Sequence, residues 1–230
     1  MDTQGSVCET SQSQDMGKLV HPAMRETLPG TAMPNLQEHI SGVRKQIIEA
    51  DDKAFIDLFY HNTESTILPA DRQSLLRRRV SDNFRVSMRD VILVGSAKIG
   101  CTLTQKLDRP PLSPFSDGSD IDIAIISSRL FEYYWEQAFN YYSDVREWEK
   151  IGQFRKYLFR GWMRPDMLPV DTEFGASRLW FDFFLGQTAS GDFGGNKVSA
   201  GIYYSEHFWE KYASRSLIEC RKYLELEGLK

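Results

Sequence analysis

Cysteine is scarce in this chain, which holds only Cys8, Cys101 and Cys220. Three scattered thiols cannot make a disulfide framework or a four-ligand zinc site, so a packed core must carry stability and a reducing cytoplasm is expected. Histidine is nearly as rare: His21, His39, His61 and His207 show neither metal spacing nor an adjacent nucleophile, and the sequence assigns them no role. Positive charge is not in excess either. Against 32 acidic residues stand 28 Lys and Arg, a net charge of -4, which excludes coating of nucleic acid by bulk charge and makes any polyanion site local. No apolar run approaches the ~20 residues needed to cross a bilayer. The opening MDTQGSVCETSQSQDMGK lacks the basic start and apolar core of a secretion signal. A cytoplasmic protein without a membrane association is therefore expected.

What is present is apolar and aromatic: 41% hydrophobic and 13% aromatic residues over 230 positions are enough for a sizeable core. Residues 1–34 are rich in Ser, Thr, Gln, Gly and Pro without apolar periodicity and read as a disordered tail. Residues 35–230 read as a single domain, opened by a helical flank over 35–88. In that flank Leu36, Ile40, Val43 and Ile47 recur at helical spacing after Asn35, with Glu38 placed as in a capping box. A second helix is expected over DKAFIDLFY and a third after Pro69, with Leu75, Leu76 and Val80 on one side. The third carries Arg72, Arg77, Arg78 and Arg79, with Arg85 beyond; a basic stretch of this kind attracts phosphates or is simply a solvated face.

DVILVGS then reads as a buried strand ending in a Gly-Ser turn, and SAKIGCTLTQKL as one or two helical turns. The proline-rich DRPPLSPFSDGS, with its 109–118 segment, is a loop that could form a lid or bind a partner. DIDIAIISS alternates as a second strand. An aromatic helix or helix pair occupies about 129–159, containing Phe131, Tyr133, Tyr134, Trp135, Phe139, Tyr141 and Tyr142, read mainly as core and alternatively as a base-stacking surface. ASRLWFDFFLG fits a helix or a strand equally well, NKVSAGIYYS is a strand, and the chain closes in a helix after Ser205.

Two carboxylates inside the isoleucine-rich SDIDIAII are the anomaly. Asp is disfavoured in strands, and like charges on one face repel. With a period of two, Asp120, Asp122 and Ala124 share one face while Ile121, Ile123 and Ile125 hold the other to the core. Paired hard oxygen donors of this kind suit Mg²⁺ or Mn²⁺, ions that complete their shells with water and phosphate. The Gly95–Ser96 turn complements them: glycine allows close approach of backbone to a phosphate, serine offers a hydroxyl, and Lys98 adds positive charge nearby.

VGS before a short helix, followed by SDIDIAI, resembles the signature of the DNA polymerase β-like nucleotidyltransferase superfamily: a hydrophobic residue with Gly-Ser, a spacer, then Asp-x-Asp in a strand. The resemblance covers about residues 90–127. It implies an α+β fold with a small twisted mixed sheet flanked by helices, Gly95 and Ser96 at a nucleoside triphosphate, and Asp120 and Asp122 as ligands of catalytic Mg²⁺ (or Mn²⁺). It further implies transfer of a nucleotidyl group from an NTP, with ATP the expected donor, to an unidentified hydroxyl on a protein, an RNA end, a small molecule or another nucleotide. GSAKIGCTL with FSDGSDIDIAII is also similar to bacterial stand-alone nucleotidyltransferase-domain proteins, some tied to antiphage defence or to toxin–antitoxin pairs, where a partner protein is expected. The pattern calls for a third carboxylate from a later strand, yet KVSAGIYYS has none. Asp182, flanked by apolar residues, is the expected replacement, ahead of Asp166 and Asp171. Without a third acid, a nucleotide- or partner-binding protein of the same fold is the alternative, with synthesis of oligonucleotide signals a further one.

Overall fold

The computed structural model describes residues 36–106, 109–143, 147–170 and 174–228. The tail expected over 1–34, together with Asn35 and Asp171, lies outside the described residues. Helix α1 (Leu36–Glu49) buries the spaced Ile40, Val43 and Ile47. Helix α2 (Asp52–Ile56) starts where the Asp51 carboxylate accepts a hydrogen bond from the Ala54 amide at 2.8 Å, and it widens into a π-helical turn over Asp57–His61. Helix α3 (Ala70–Phe84) buries Leu76, Val80 and Phe84 and ends at Arg85 in the left-handed conformation. Strand β1 (Val91–Val94) runs directly into the short helix α4 (Gly95–Ile99), and strand β2 (Ile121–Ile126) follows the proline-rich loop.

The aromatic segment is a helix pair, α5 (Ser128–Ser143) and α6 (Ile151–Leu158). Only part of its aromatic set is core: Phe131 and Tyr134 are buried, while Tyr133, Trp135, Phe139 and Tyr142 are exposed. A two-residue strand β3 (Trp162–Met163) comes next, in a stretch whose prolines made it read as irregular. The ambiguous apolar run is helical, α7 (Gly175–Ala189), and strand β4 (Val198–Tyr203) and helix α8 (Glu206–Gly228) complete the chain.

The four strands form one mixed sheet in the order β1-β2-β4-β3. β1 is antiparallel to β2, β4 is parallel to β2, and β3 is antiparallel to β4. The alternation of β2 sorts the core into two layers. Ile121, Ile123 and Ile125 pack with residues of α3, α5, α6 and α7, whereas Ala124 and Ile126 pack with residues of α1, α2 and α8. The protein is thus a mixed α+β fold with helices on both faces of its sheet. Among the described residues no helix is long and apolar enough to cross a membrane.

The arginines of α3 are largely used by the fold. Arg72 and Arg79 both pair with Asp192, at 3.0 and 2.8 Å, clamping α3 to the turn before β4. Arg77 donates to the carbonyls of Met88 and Val91 and so fixes the entry into β1.

Candidate functional site

At one end of the sheet the end of β1, the start of β2 and the start of β4 lie side by side. The register sets Val94 opposite Asp122 and Asp122 opposite Ser199. Gly95 follows Val94 at φ +66°, a left-handed conformation that favours glycine. A Cβ built there would stand 3.0 Å from Asp122 Oδ2, so the glycine backbone is seated against the carboxylate itself. On the other side the Ser199 hydroxyl donates to Asp122 Oδ1 at 2.7 Å. Asp122 is thereby held between the Gly-Ser turn and the neighbouring strand.

Asp120 immediately precedes β2, at the end of a tightly tied turn. The Asn196 side-chain amide donates to the Ser119 carbonyl at 2.9 Å, and Arg109 donates to the hydroxyls of Ser116 and Ser119 at 3.1 and 3.2 Å. The preceding loop folds back on α4: the Phe115 amide donates to the Gly100 carbonyl at 2.9 Å, and Thr102 exchanges backbone hydrogen bonds with Leu112 and Ser113. The 109–118 segment is thus hydrogen-bonded into the body that positions Asp120. Lys197 Nζ lies 3.8 Å from an Asp120 oxygen, and the Asp120 side chain remains 40% exposed.

Electrostatics sharpen the contrast between the two acids. Burial pushes the Asp122 carboxyl above the usual carboxylate range, and the nearby Asp120 adds to that push. The Ser199 hydrogen bond and the charges of Lys106 and Lys197 oppose it. A buried carboxylate beside a second one, with cations and a hydroxyl in attendance, gains from a divalent ion that neutralises it. Two further phenols share this face: Tyr203 and Tyr212 both have their ionisation pushed up, chiefly by burial, with Asp122 contributing.

Gly95, Asp120 and Asp122 are brought together, and Ser96 is buried in the first turn of α4 beside them. Lys98 is not. One turn further along α4, its ammonium donates to the Thr63 carbonyl. It lines a separate cleft of about 530 Å³ between α3, the 60–64 turn and β1. Burial there lowers its pKa to about 8. Asp182 is also elsewhere. It sits on α7 with its side chain 66% exposed, paired with Arg178 one turn away at 3.7 Å. The buried side of α7 (Ala176, Trp180, Phe184) packs on the isoleucine face of β2, so the sheet separates Asp182 from the Asp122 face. Asp166 is taken up by a bidentate pair with Arg164 at 3.0 and 2.7 Å.

The residues that do flank the acid pair, Lys106, Lys197 and Ser199, were not singled out from sequence. Lys197 and Ser199 had a usable signal, since both fall in NKVSAGIYYS, which reads as a strand from sequence. The donor set fits Mg²⁺: carboxylate oxygens on one strand edge, and a glycine whose missing Cβ leaves backbone against one of them. Comparison with protein-family models, with curated proteins and with solved structures returns no match.

Proposed function

We propose that this chain is an Mg²⁺-dependent nucleotidyltransferase-type protein that binds a nucleoside triphosphate, with ATP as the expected donor, at the Gly95, Asp120 and Asp122 edge of its sheet. The observation that carries the reading is the seating of the left-handed Gly95 against the buried Asp122 carboxylate, because it joins the Gly-Ser and Asp-x-Asp elements into one site. Asp120 and Asp122 would hold Mg²⁺, which when bound supplies positive charge to the phosphates and to the pyrophosphate leaving group. Gly95 lets the chain approach the phosphates without a side chain between them. Lys197 and Lys106 add positive charge at the same edge, and Ser199 fixes the Asp122 carboxylate. In the transfer, an acceptor hydroxyl oxygen bonds to the α-phosphorus as the bond to the bridging oxygen breaks. Pyrophosphate departs, and the hydroxyl proton passes to Asp120, the more exposed of the two acids.

A second reading is favoured by one feature of the register. The neighbouring strand presents Ser199 and Lys197, not an acid, next to Asp122 and Asp120. A site so built binds Mg²⁺ and NTP while transferring slowly or not at all, and it suits a nucleotide-dependent interaction with a partner. The test uses the full chain and α-labelled NTPs with Mg²⁺ or Mn²⁺, beside an Asp120→Ala, Asp122→Ala variant. Metal-dependent NTP binding that vanishes in the variant supports the site, and label transfer or pyrophosphate release decides for the transferase. Equal NTP binding by both proteins, or none by either, rejects both readings.

A further inference from the structure

The first turns of α8 meet the π-helical turn after α2 at a place the acid pair does not use. His61 from that turn and Glu206 and Glu210 from α8 each direct one ligand atom into a common space, all within 4.8 Å of one another. His61 Nε2 and Glu206 Oε1 are 3.8 Å apart. Tetrahedral coordination with bonds of about 2.1 Å places neighbouring ligand atoms roughly 3.4 Å apart. The closing movement required is therefore up to about 1.4 Å for the widest pair, within the rotameric reach of glutamates at a surface.

The imidazole is the best-positioned member. Its ring packs edge-on against Trp209 at 5.4 Å and 73°, and Trp209 is 1% exposed. Glu206 and Glu210 stand one helical turn apart, an arrangement in which two like charges repel and destabilise a helix. A cation shared with His61 removes that repulsion. His61 and Glu206 also line the cleft containing Lys98, which leaves room for water or another small ligand beside the cluster.

We propose that His61, Glu206 and Glu210 form a binding site for a first-row divalent cation, Zn²⁺ in the first instance, separate from the Asp120 and Asp122 site. One imidazole and two carboxylates match Zn²⁺ better than Mg²⁺, which prefers oxygen alone. Three protein ligands leave a coordination position for water. The site does not depend on nucleotide binding at the other end of the sheet.

The test is titration of tag-free full chain with Zn²⁺ by calorimetry, and with Co²⁺ by visible absorption and tryptophan quenching. One ion per chain is expected, retained when Asp120 and Asp122 are both changed to alanine. His61→Ala and Glu210→Gln, each checked for native circular dichroism, should weaken binding at least about tenfold, since even indirect supporting residues contribute that much. A simple His61–Glu206 ion pair would not respond to Glu210→Gln. In the wild type, Zn²⁺ should move the ring resonances of His61 selectively, a readout that needs no variant. Absence of Zn²⁺ binding, binding lost only with the aspartates, or unmoved His61 resonances would each overturn the proposal.

Discussion

Replacing Gly95 by alanine tests the joint on which the acid-pair site depends. At φ +66° a residue with a side chain is strained by roughly 1–2 kcal/mol, of which alanine recovers about 0.4–1 kcal/mol by restricting the unfolded chain. The new Cβ would stand 3.0 Å from Asp122 Oδ2, so the carboxylate must yield by a few tenths of an ångström. It cannot turn freely, because its other oxygen accepts from Ser199 at 2.7 Å. Weakening that charge-assisted bond costs about 1 kcal/mol, a fraction of its full worth. The sum is a loss of about 1–2 kcal/mol, which for a domain of this size lowers Tm by about 3–6 °C. Urea unfolding measures the loss, and calorimetry with Mg²⁺ and ATP measures its effect on the site, where binding should fall at least tenfold. The same substitution in an Asp122→Ala background should cost about 1 kcal/mol less, because the clash has been removed. An unchanged Tm for Gly95→Ala would refute the backbone argument. An equal cost in both backgrounds would refute the contact with Asp122.

Asp182→Ala should change stability by less than about 0.5 kcal/mol, as expected for an exposed i,i+4 pair, and leave Mg²⁺-dependent NTP binding intact; loss of binding would reinstate Asp182 in the site. Asn196→Ala removes the donor to the Ser119 carbonyl and should cost about 1–3 kcal/mol in urea unfolding, with faster amide exchange at residues 116–119. Lys98→Met should alter how stability depends on pH. Because the folded pKa of Lys98, about 8, lies below its ordinary 10.5, the folded state holds fewer protons between those values, so this group's contribution rises with pH across that window. The cleft admits solvent to the amine, which reduces the gain to about 1–2 kcal/mol. Buried Cys101 and Cys220, with thiols pushed up to about 12 and about 11, act in the opposite direction. The difference between wild type and Lys98→Met unfolding free energies from pH 7.5 to 10.5 isolates the lysine, and a flat difference refutes its burial as a charged group.

Elements with one dominant signal were legible in the sequence. The spacing of Ile40, Val43 and Ile47 marked α1, and the alternation of DIDIAII marked both β2 and its two faces, because burial on one side imposes the period directly. The run LWFDFFL gave no such period. Apolar residues lie around much of α7: Trp180 and Phe184 are buried, Phe181 and Phe183 pack partly against the core, and Leu179 and Leu185 are exposed. β3 was illegible for another reason. It is two residues long, follows Gly161 at φ +63° and precedes Pro165, so its pairing with Ile202 and Tyr203 comes wholly from tertiary contact.

The site divides along the same line. Asp120, Asp122 and Gly95 were readable because their cost within an apolar segment is local: acids in a strand and a break after four apolar residues. Lys98 and Asp182 were misplaced because helical rotation, invisible to residue type, decides direction. The register of β4 matters most. A parallel neighbour of β2 brings residues together that are far apart in the chain, and the pairing of Asp122 with Ser199 exists only once that register is known. Asp182 was attractive from sequence but lies away from this pairing. The apolar neighbours that suggested a buried strand instead surround a helix that covers the isoleucine face, leaving its one acid in solvent. The position beside Asp122 is filled by a hydroxyl that donates to it, and a carboxylate there would have added a third negative charge to an already unfavourable pair. Serine at 199 therefore stabilises the Asp122 carboxylate through a donated hydrogen bond, without the repulsion a third acid would bring.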